Sequence, residues 1–227
     1  MTTWLVTGGA GYIGNHVTRA LIASGRKVVV LDDLSSGNSD RIPAGATFIE
    51  ANIIDRQKVV AALAEHDVDG VIHLAAKKAA GESVDVPLYY YRENVAGMLS
   101  LLEAMQEAGV KRLVYSSSAA VYGTPKVNPV RETAELAAES PYGETKVVGE
   151  WMAKSEGVAN GLSWVALRYF NVAGAGNSAQ GHLTSGRMDF VFAHALARLG
   201  GVGDAGRDGI DPHLRRKRTR HCFCRAR

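Results

Sequence analysis

The glycine-rich segment TGGAGYIG constrains the fold of this chain more than any other stretch. Gly8, Gly11 and Gly14 lie at the turn from a short apolar run into a helical stretch, Tyr12 to Ala23, in which apolar residues recur every three or four positions. Glycines let such a turn be tight and approach a pyrophosphate closely, and the N–H groups at the helix N-terminus meet the phosphate charge. The segment therefore predicts a dinucleotide-binding turn.

Strands and helices continue to alternate to about residue 174. Five further apolar runs, KVVVLDD, ATFIE, GVIHLAA, KRLVYSSS and LSWVALRYFN, are separated by predicted helices at about Arg56–His66, Leu88–Gly109 and Tyr142–Gly157. Strands that are apolar on both faces are typical of a parallel sheet covered by helices on each side. The sequence therefore predicts an α/β domain with a doubly wound parallel sheet over residues 1–174.

An acidic residue, Asp32, ends the second strand 18 residues after Gly14. A carboxylate at this position accepts hydrogen bonds from the hydroxyls of an adenosine ribose and repels a 2′-phosphate. No Lys or Arg follows within several residues. We therefore expect NAD as the cofactor rather than NADP.

Tyr142 and Lys146 lie one helical turn apart in the segment SPYGETK, so they share a face of the predicted helix. The strand KRLVYSSS ends in Ser116, Ser117 and Ser118, and such strand ends open into the ligand crevice of a doubly wound sheet. We expect one of these hydroxyls to face the tyrosine and the lysine. An adjacent ammonium and a cationic nicotinamide ring would both favour the phenolate, which makes Tyr142 a candidate catalytic base.

The chain resembles the extended short-chain dehydrogenase/reductase family over about residues 2–174. Six segments carry the resemblance: TGGAGYIG, LDDLSSG, HLAAKKAAGES, SSSAAVYG, SPYGETK and LRYFNVAGA. Within that family the chain is similar to the isomerases that epimerise UDP-hexoses, UDP-glucose and UDP-galactose, at C4. The resemblance implies a Rossmann fold of the extended type, NAD as the cofactor and a UDP-sugar as the substrate.

The resemblance also implies roles for individual residues. Ser118, Tyr142 and Lys146 would be catalytic. The cofactor would contact Gly8, Gly11, Tyr12, Ile13, Gly14, Asp32, Asn52, Ile53, Ala75, Ala76, Lys78, Asn94, Tyr142, Lys146 and Phe170. The substrate would contact Lys78, Ser118, Ala119, Ala120, Tyr142, Phe170 and Asn171, and no metal site is expected. In the implied reaction Tyr142 removes the 4-hydroxyl proton, hydride leaves C4, and hydride returns to the other face of the 4-keto sugar.

This chain differs from related sequence patterns of the family at two sites. Sugar-nucleotide 4,6-dehydratases carry an Asp–Glu pair where this chain has Ala119 and Ala120, so we expect no elimination of water. Asn52 stands where the family usually has an aspartate that accepts from the adenine amino group. We expect the Asn52 carbonyl to accept instead, with weaker binding of NAD.

Residues 175–227 differ in composition from the preceding part. Residues 1–174 contain 16 Lys+Arg and 19 Asp+Glu, whereas residues 175–227 contain 10 and 4 together with both cysteines. We expect an atypical basic tail, partly helical or disordered, with the family's C-terminal substrate domain largely missing. A frameshift or truncation after about residue 175 would explain the change, and translation of the other two reading frames would test it.

The chain has no apolar run near the roughly 20 residues that span a bilayer, so we expect no membrane partner. The absence of cysteine from residues 1–174, together with an N-terminus that resembles no secretory signal, favours a cytoplasmic protein.

Nucleic acid ranks last among the partners, since only the basic tail suggests it. The resemblance implies a homodimer through the two long helices. Two further hypotheses stay open: epimerisation of another NDP-sugar, and a non-catalytic NAD-binding remnant.

Overall fold

The computed structural model describes residues 1–172, which form a six-stranded parallel sheet with helices on both faces. The strands are β1 Thr3–Thr7, β2 Lys27–Asp32, β3 Ala46–Glu50, β4 Gly70–His73, β5 Arg112–Ser116 and β6 Ser163–Leu167. Their order is β3-β2-β1-β4-β5-β6, so the direction of winding reverses between β1 and β4. The predicted doubly wound sheet is confirmed, and this reversal is where such sheets bind ligands.

The helices are α1 Tyr12–Ala23, α2 Arg56–Glu65, α3 Ala80–Asp85, α4 Pro87–Tyr90, α5 Gly97–Glu107 and α6 Pro141–Asn160. The predicted range of α1 is confirmed. The long helix predicted over about 88–109 is interrupted, because Tyr91–Ala96 form a π-helical segment between α4 and α5. Helix α3 was not predicted, since it has only six residues and no amphipathic repeat.

Adjacent residues of each central strand pack on opposite faces of the sheet. Leu5 belongs to the cluster beneath α2, α5 and α6, whereas Trp4 and Val6 belong to the cluster beneath α1. All three side chains are buried. The strands are therefore apolar on both faces, as their sequences predicted, and their carboxyl ends are left to carry polar side chains.

Some predictions concern residues outside the described range. The basic tail, its helical stretch and the frameshift hypothesis all fall on residues 173–227 and stay predictions. In the described residues, no helix combines the length and the apolar character that a membrane crossing requires.

Candidate active site

The glycine loop joins β1 to α1 by a turn that only glycine fits. Gly8 has φ +72°, and a Cβ at this position would lie 2.7 Å from the backbone nitrogen of Ala75. A Cβ on Gly14 would lie 2.1 Å from the carbonyl oxygen of Gly8. The first turn of α1 therefore packs directly on the loop. No side chain caps this helix N-terminus, which leaves its N–H groups able to bind an anion.

Asp32 fastens this loop to the end of β2. Its Oδ2 accepts from the backbone N–H of Ala10 at 3.0 Å, and its Oδ1 accepts from that of Leu34 at 2.9 Å. The carboxylate is buried and lines the same cleft as the glycines. A ribose hydroxyl in the cleft would meet an acceptor that is already held in place.

The cleft is a cavity of about 670 Å³ along the carboxyl ends of the strands. It is lined by every residue predicted to contact cofactor or substrate except one. The exception is Asn94, whose buried side chain accepts from the backbone N–H of Lys77 and donates to Lys77 O and Thr145 Oγ1. In this structure Asn94 supports the wall of the cleft, and its contact with the cofactor stays a prediction.

The three serines at the end of β5 point in different directions. Ser117 is buried and donates to Glu150 Oε1 at 2.5 Å, and Ser116 Oγ hydrogen-bonds the Tyr169 hydroxyl. Ser118 lies close enough to the Tyr142 phenol to lower its pKa, and the Ser118 Oγ accepts from the backbone N–H of Ala120 at 3.2 Å. The serine expected to face Tyr142 is therefore Ser118.

Lys146 lies beside the tyrosine and is almost fully buried. Its Nζ donates to the carbonyl oxygen of Ser116 at 2.9 Å and lies 5.8 Å from the centroid of the Tyr142 ring. Burial lowers the pKa of Lys146 to about 8. Burial also raises the pKa of Tyr142, although the hydrogen bond from Ser118 opposes this. In the protein alone, burial therefore outweighs the interactions that were expected to favour the phenolate form of Tyr142.

Helix α6 is anchored at several points around these residues. Ser140 Oγ accepts from the backbone N–H of Gly143 at 3.2 Å, and the N–H of Tyr142 donates to Ser83 Oγ at 3.1 Å. Two turns further on, Glu150 binds Arg168 through two hydrogen bonds, Nε to Oε1 at 2.8 Å and Nη2 to Oε2 at 2.5 Å. Both side chains are 4% exposed. Because Ser117 also donates to Glu150, the reactive helix is tied to the ends of β5 and β6.

The comparisons with known proteins place the chain in a family. The profile of the NAD dependent epimerase/dehydratase family matches residues 4–210. The chain belongs to this family. The match continues beyond residue 174, where the motif-based resemblance ends.

Curated relatives and solved structures of this family are similar to the chain over part of their length. The UDP-glucose 4-epimerase of Azospirillum brasilense is 47% identical over 171 residues, which are 75% of this chain and 49% of the relative. The UDP-glucose 4-epimerase of Bacillus subtilis is 41% identical over 217 residues, and the match covers 90% of this chain and 64% of the relative. The Brucella ovis UDP-glucose 4-epimerase in complex with NAD has a TM-score of 0.76 at 39% identity, covering 80% of this chain and 57% of that one. The chain thus spans about half to two thirds of the length of these relatives.

Several residues that line the cleft were not predicted from the sequence. Asp33, Ser35, Lys77 and Tyr169 all line the cavity. Asp33 and Ser35 could have been suspected because they directly follow Asp32, whereas Lys77 comes from the loop after β4 and carries no local signal. Within residues 1–172, no group of three or more His, Cys, Asp or Glu side chains is arranged to hold a metal ion.

His73 lies beneath the cleft at the end of β4 and is buried. The hydroxyl of Thr7 accepts from the backbone N–H groups of Leu74 and Ala75, so it donates its own hydrogen to His73 Nδ1 at 2.8 Å. The ring is therefore neutral, with its hydrogen on Nε2. Burial, together with the nearby charge of Lys146, lowers the pKa of His73 to about 3.

His73 is expected to make the protein less stable as the pH falls. The unfolded chain binds a proton on this ring below about pH 6.5, whereas the folded chain does so only near pH 3. The free energy of unfolding should lose about 2 kcal/mol between pH 7 and pH 5 through this residue. Urea unfolding of the wild type and of His73→Gln at both pH values measures the difference. An equal loss in the two proteins would contradict the assignment.

Proposed function

We propose that this chain binds NAD and catalyses the epimerisation of a UDP-hexose at C4, interconverting UDP-glucose and UDP-galactose. The observation that carries the proposal is one continuous cavity that joins the glycine loop to Ser118, Tyr142 and Lys146. The relatives named UDP-glucose 4-epimerase support the same reaction.

The residues around the glycine loop fit NAD. Gly14 lets the first turn of α1 pack directly on the glycine loop, and the uncapped N-terminus of α1 suits a pyrophosphate. Asp32 offers its carboxylate to a ribose, and Lys146 lies deeper in the cleft, toward the nicotinamide half. When bound, NAD supplies a reversible hydride acceptor for C4 of the sugar.

The catalytic side chains divide the proton chemistry between them. Tyr142 takes the proton from the 4-hydroxyl and returns it after the sugar has turned over. Ser118, which lies beside the phenol, shares that proton and binds the reacting oxygen. Lys146 holds a positive charge 5.8 Å from the ring centroid, which favours the phenolate when the base must form. Ala119, Ala120, Phe170 and Asn171 form the adjoining wall where the sugar would turn.

One related substrate class is favoured by a specific comparison. The structure of a UDP-N-acetylglucosamine 4-epimerase from Methanobrevibacter ruminantium has a TM-score of 0.71 and 36% identity to this chain. UDP-N-acetylglucosamine is therefore the second substrate to test. Dehydration is disfavoured, because Ala119 and Ala120 provide no acid for the loss of water.

The test is conversion of UDP-galactose to UDP-glucose by the purified chain with added NAD, followed by nuclear magnetic resonance. Product from the wild type and none from Tyr142→Phe would support the proposal. Binding of NAD without any product would instead indicate a cofactor-binding protein that does not catalyse this reaction. Product from both proteins would point to a contaminating enzyme.

We also infer that two copies associate through α5 and α6, as the family resemblance implies. Apolar side chains on these helices face the solvent in the single chain: Leu99 is 49% exposed and Trp151 is 59% exposed. We expect Trp151→Glu to shift the chain from dimer to monomer, because it places a charge in the apolar contact. Sedimentation at micromolar concentration measures this. Val127→Glu, at an exposed apolar residue in a loop, is the matched control, and an equal shift in both variants would contradict the proposed interface.

The cysteine-free composition of residues 1–174 supports a cytoplasmic location. Fractionation of cells that express a tagged chain would test this inference, and recovery with the membrane pellet would contradict it.

A further inference from the structure

A connected group of polar side chains lies where β2 and β3 end, at the opposite end of the cleft from Tyr142. Lys77 Nζ donates to Ser35 Oγ at 2.9 Å, and Ser35 Oγ donates to Asp33 Oδ1 at 2.6 Å. The backbone N–H of Ser35 donates to the same oxygen at 3.0 Å. Asn52 Nδ2 donates to the other carboxylate oxygen, Asp33 Oδ2, at 2.9 Å. Asp33 therefore accepts three of these four hydrogen bonds, and Lys77 is connected to it through Ser35.

The orientation of the Asn52 amide is fixed by two different partners. Its Oδ1 accepts from the backbone N–H of Ile54 at 2.9 Å, and its Nδ2 faces the carboxylate of Asp33. Rotation by 180° would place oxygen against oxygen and N–H against N–H. Asn52 thus acts as a donor that holds Asp33 in position.

Asp33 is ionised at neutral pH. Burial alone would raise the pKa of its carboxyl, but the hydrogen bonds from Ser35, the charge of Lys77 and the hydrogen bond from Asn52 lower it overall. A carboxylate has about four acceptor positions on its two oxygens. Two of the contacts described above fall on Oδ1 and one on Oδ2, so Oδ2 can accept a further hydrogen bond from a ligand in the cleft.

The order of the strands places the base of the cofactor beside this group. The pyrophosphate belongs at the glycine loop after β1, and the reacting groups lie on the side of β4, β5 and β6. Asp32, at the end of β2, meets the adenosine ribose. The base attached to that ribose must then lie further out, toward β3, where Asp33, Asn52 and Ile53 line the cavity.

We propose that Asp33, held by Asn52, accepts a hydrogen bond from the exocyclic amino group of the cofactor's adenine and so selects adenine over a base with a carbonyl at that position. The inference rests on the proposed binding of NAD. It differs from the expectation that the Asn52 carbonyl is the acceptor, since that carbonyl is neutral and already accepts from the backbone of Ile54, whereas Asp33 is charged and keeps an open position on Oδ2.

Nicotinamide hypoxanthine dinucleotide is the probe, because it replaces the amino group of adenine by a carbonyl oxygen. The wild type should bind NAD about 10- to 100-fold more tightly than this analogue, since a hydrogen bond to a charged acceptor is lost. Titration calorimetry on the full chain gives both dissociation constants. Asp33→Asn should reduce the preference for NAD to less than about threefold, because an amide both accepts and donates.

Two further variants separate Asp33 from Asn52. Asn52→Ala should weaken the binding of NAD yet retain the preference for adenine. The double variant Asp33→Asn with Asn52→Asp restores one carboxylate facing one amide, and it should recover the preference. Thermal unfolding confirms that each variant is folded.

Three outcomes would overturn the inference. A preference that survives in Asp33→Asn but disappears in Asn52→Ala would assign the acceptor to Asn52. A preference that survives in both would place the acceptor elsewhere. If the wild type binds neither dinucleotide, the proposed function fails and this inference fails with it, which is a different result from binding of NAD without the predicted selectivity.

Discussion

Tyr142→Phe is expected to lower the epimerisation rate by at least about 1,000-fold, while the dissociation constant of NAD changes less than about threefold. The variant keeps the aromatic ring, and with it the contact 5.8 Å from Lys146 Nζ, but loses the group that takes the proton. General acid–base catalysis contributes about 10²- to 10⁴-fold, and the phenol of Tyr142 is the proton acceptor beside Ser118 that the variant removes.

Tyr169→Phe is the matched control for this prediction. Its phenol lines the same cavity, is partly buried like that of Tyr142 and hydrogen-bonds Ser116. Its removal should cost less than about tenfold, because the bonded partner is not the serine that faces Tyr142. Single-turnover rates with UDP-galactose compare the two variants. If Tyr169→Phe lowers the rate more than Tyr142→Phe does, Tyr169 and not Tyr142 would be the catalytic base.

Arg168→Met is expected to lower the free energy of unfolding by about 3–5 kcal/mol. Arg168 and Glu150 are each 4% exposed, so the variant leaves a carboxylate buried without its main partner. The same change frees the Tyr122 hydroxyl and the Glu132 carbonyl, to which Arg168 Nη1 donates at 2.9 Å and 3.2 Å. Urea unfolding with a spectroscopic probe measures the loss.

The double variant Glu150→Gln with Arg168→Met distinguishes two sources of the lost stability, the unpaired charge of Glu150 and the lost packing of the Arg168 side chain. Removing the buried negative charge should recover part of the lost stability, so that the double variant is more stable than Arg168→Met alone. If the two are equally unstable, the loss comes from packing and from the other hydrogen bonds of Arg168. A loss below about 1 kcal/mol in Arg168→Met would mean that water or another side chain replaces the ion pair.

The sequence predicted those parts of the site that local spacing determines. Gly8 and Gly14 flank the start of a periodic helix, and Tyr142 and Lys146 lie one turn apart, so each pair is visible within a short window. The predicted strands were found because each is a continuous apolar run. Even the ends of α1 were correct, since Gly11 and Gly25 flank its apolar repeat.

The remaining features depend on contacts between distant segments. Arg168 and Glu150 would ordinarily be read as solvent-exposed charges, and only the packing of α6 on β6 buries them together. Asp33 meets Asn52 across 19 residues and Lys77 meets Ser35 across 42. The π-helical segment at Tyr91–Ala96 carries Asn94 toward the backbone of Lys77, a requirement that helical periodicity does not encode.

The three consecutive serines at the end of β5 make this segment sensitive to a change of length. Ser117 contacts Glu150, while its neighbour Ser118 lies beside the phenol of Tyr142. Inserting or deleting one residue just before this run would move each serine by one position along the chain. The serine that anchors α6 and the serine that lies beside the phenol would both change, so a difference of one residue in length would alter the anchoring and the chemistry together.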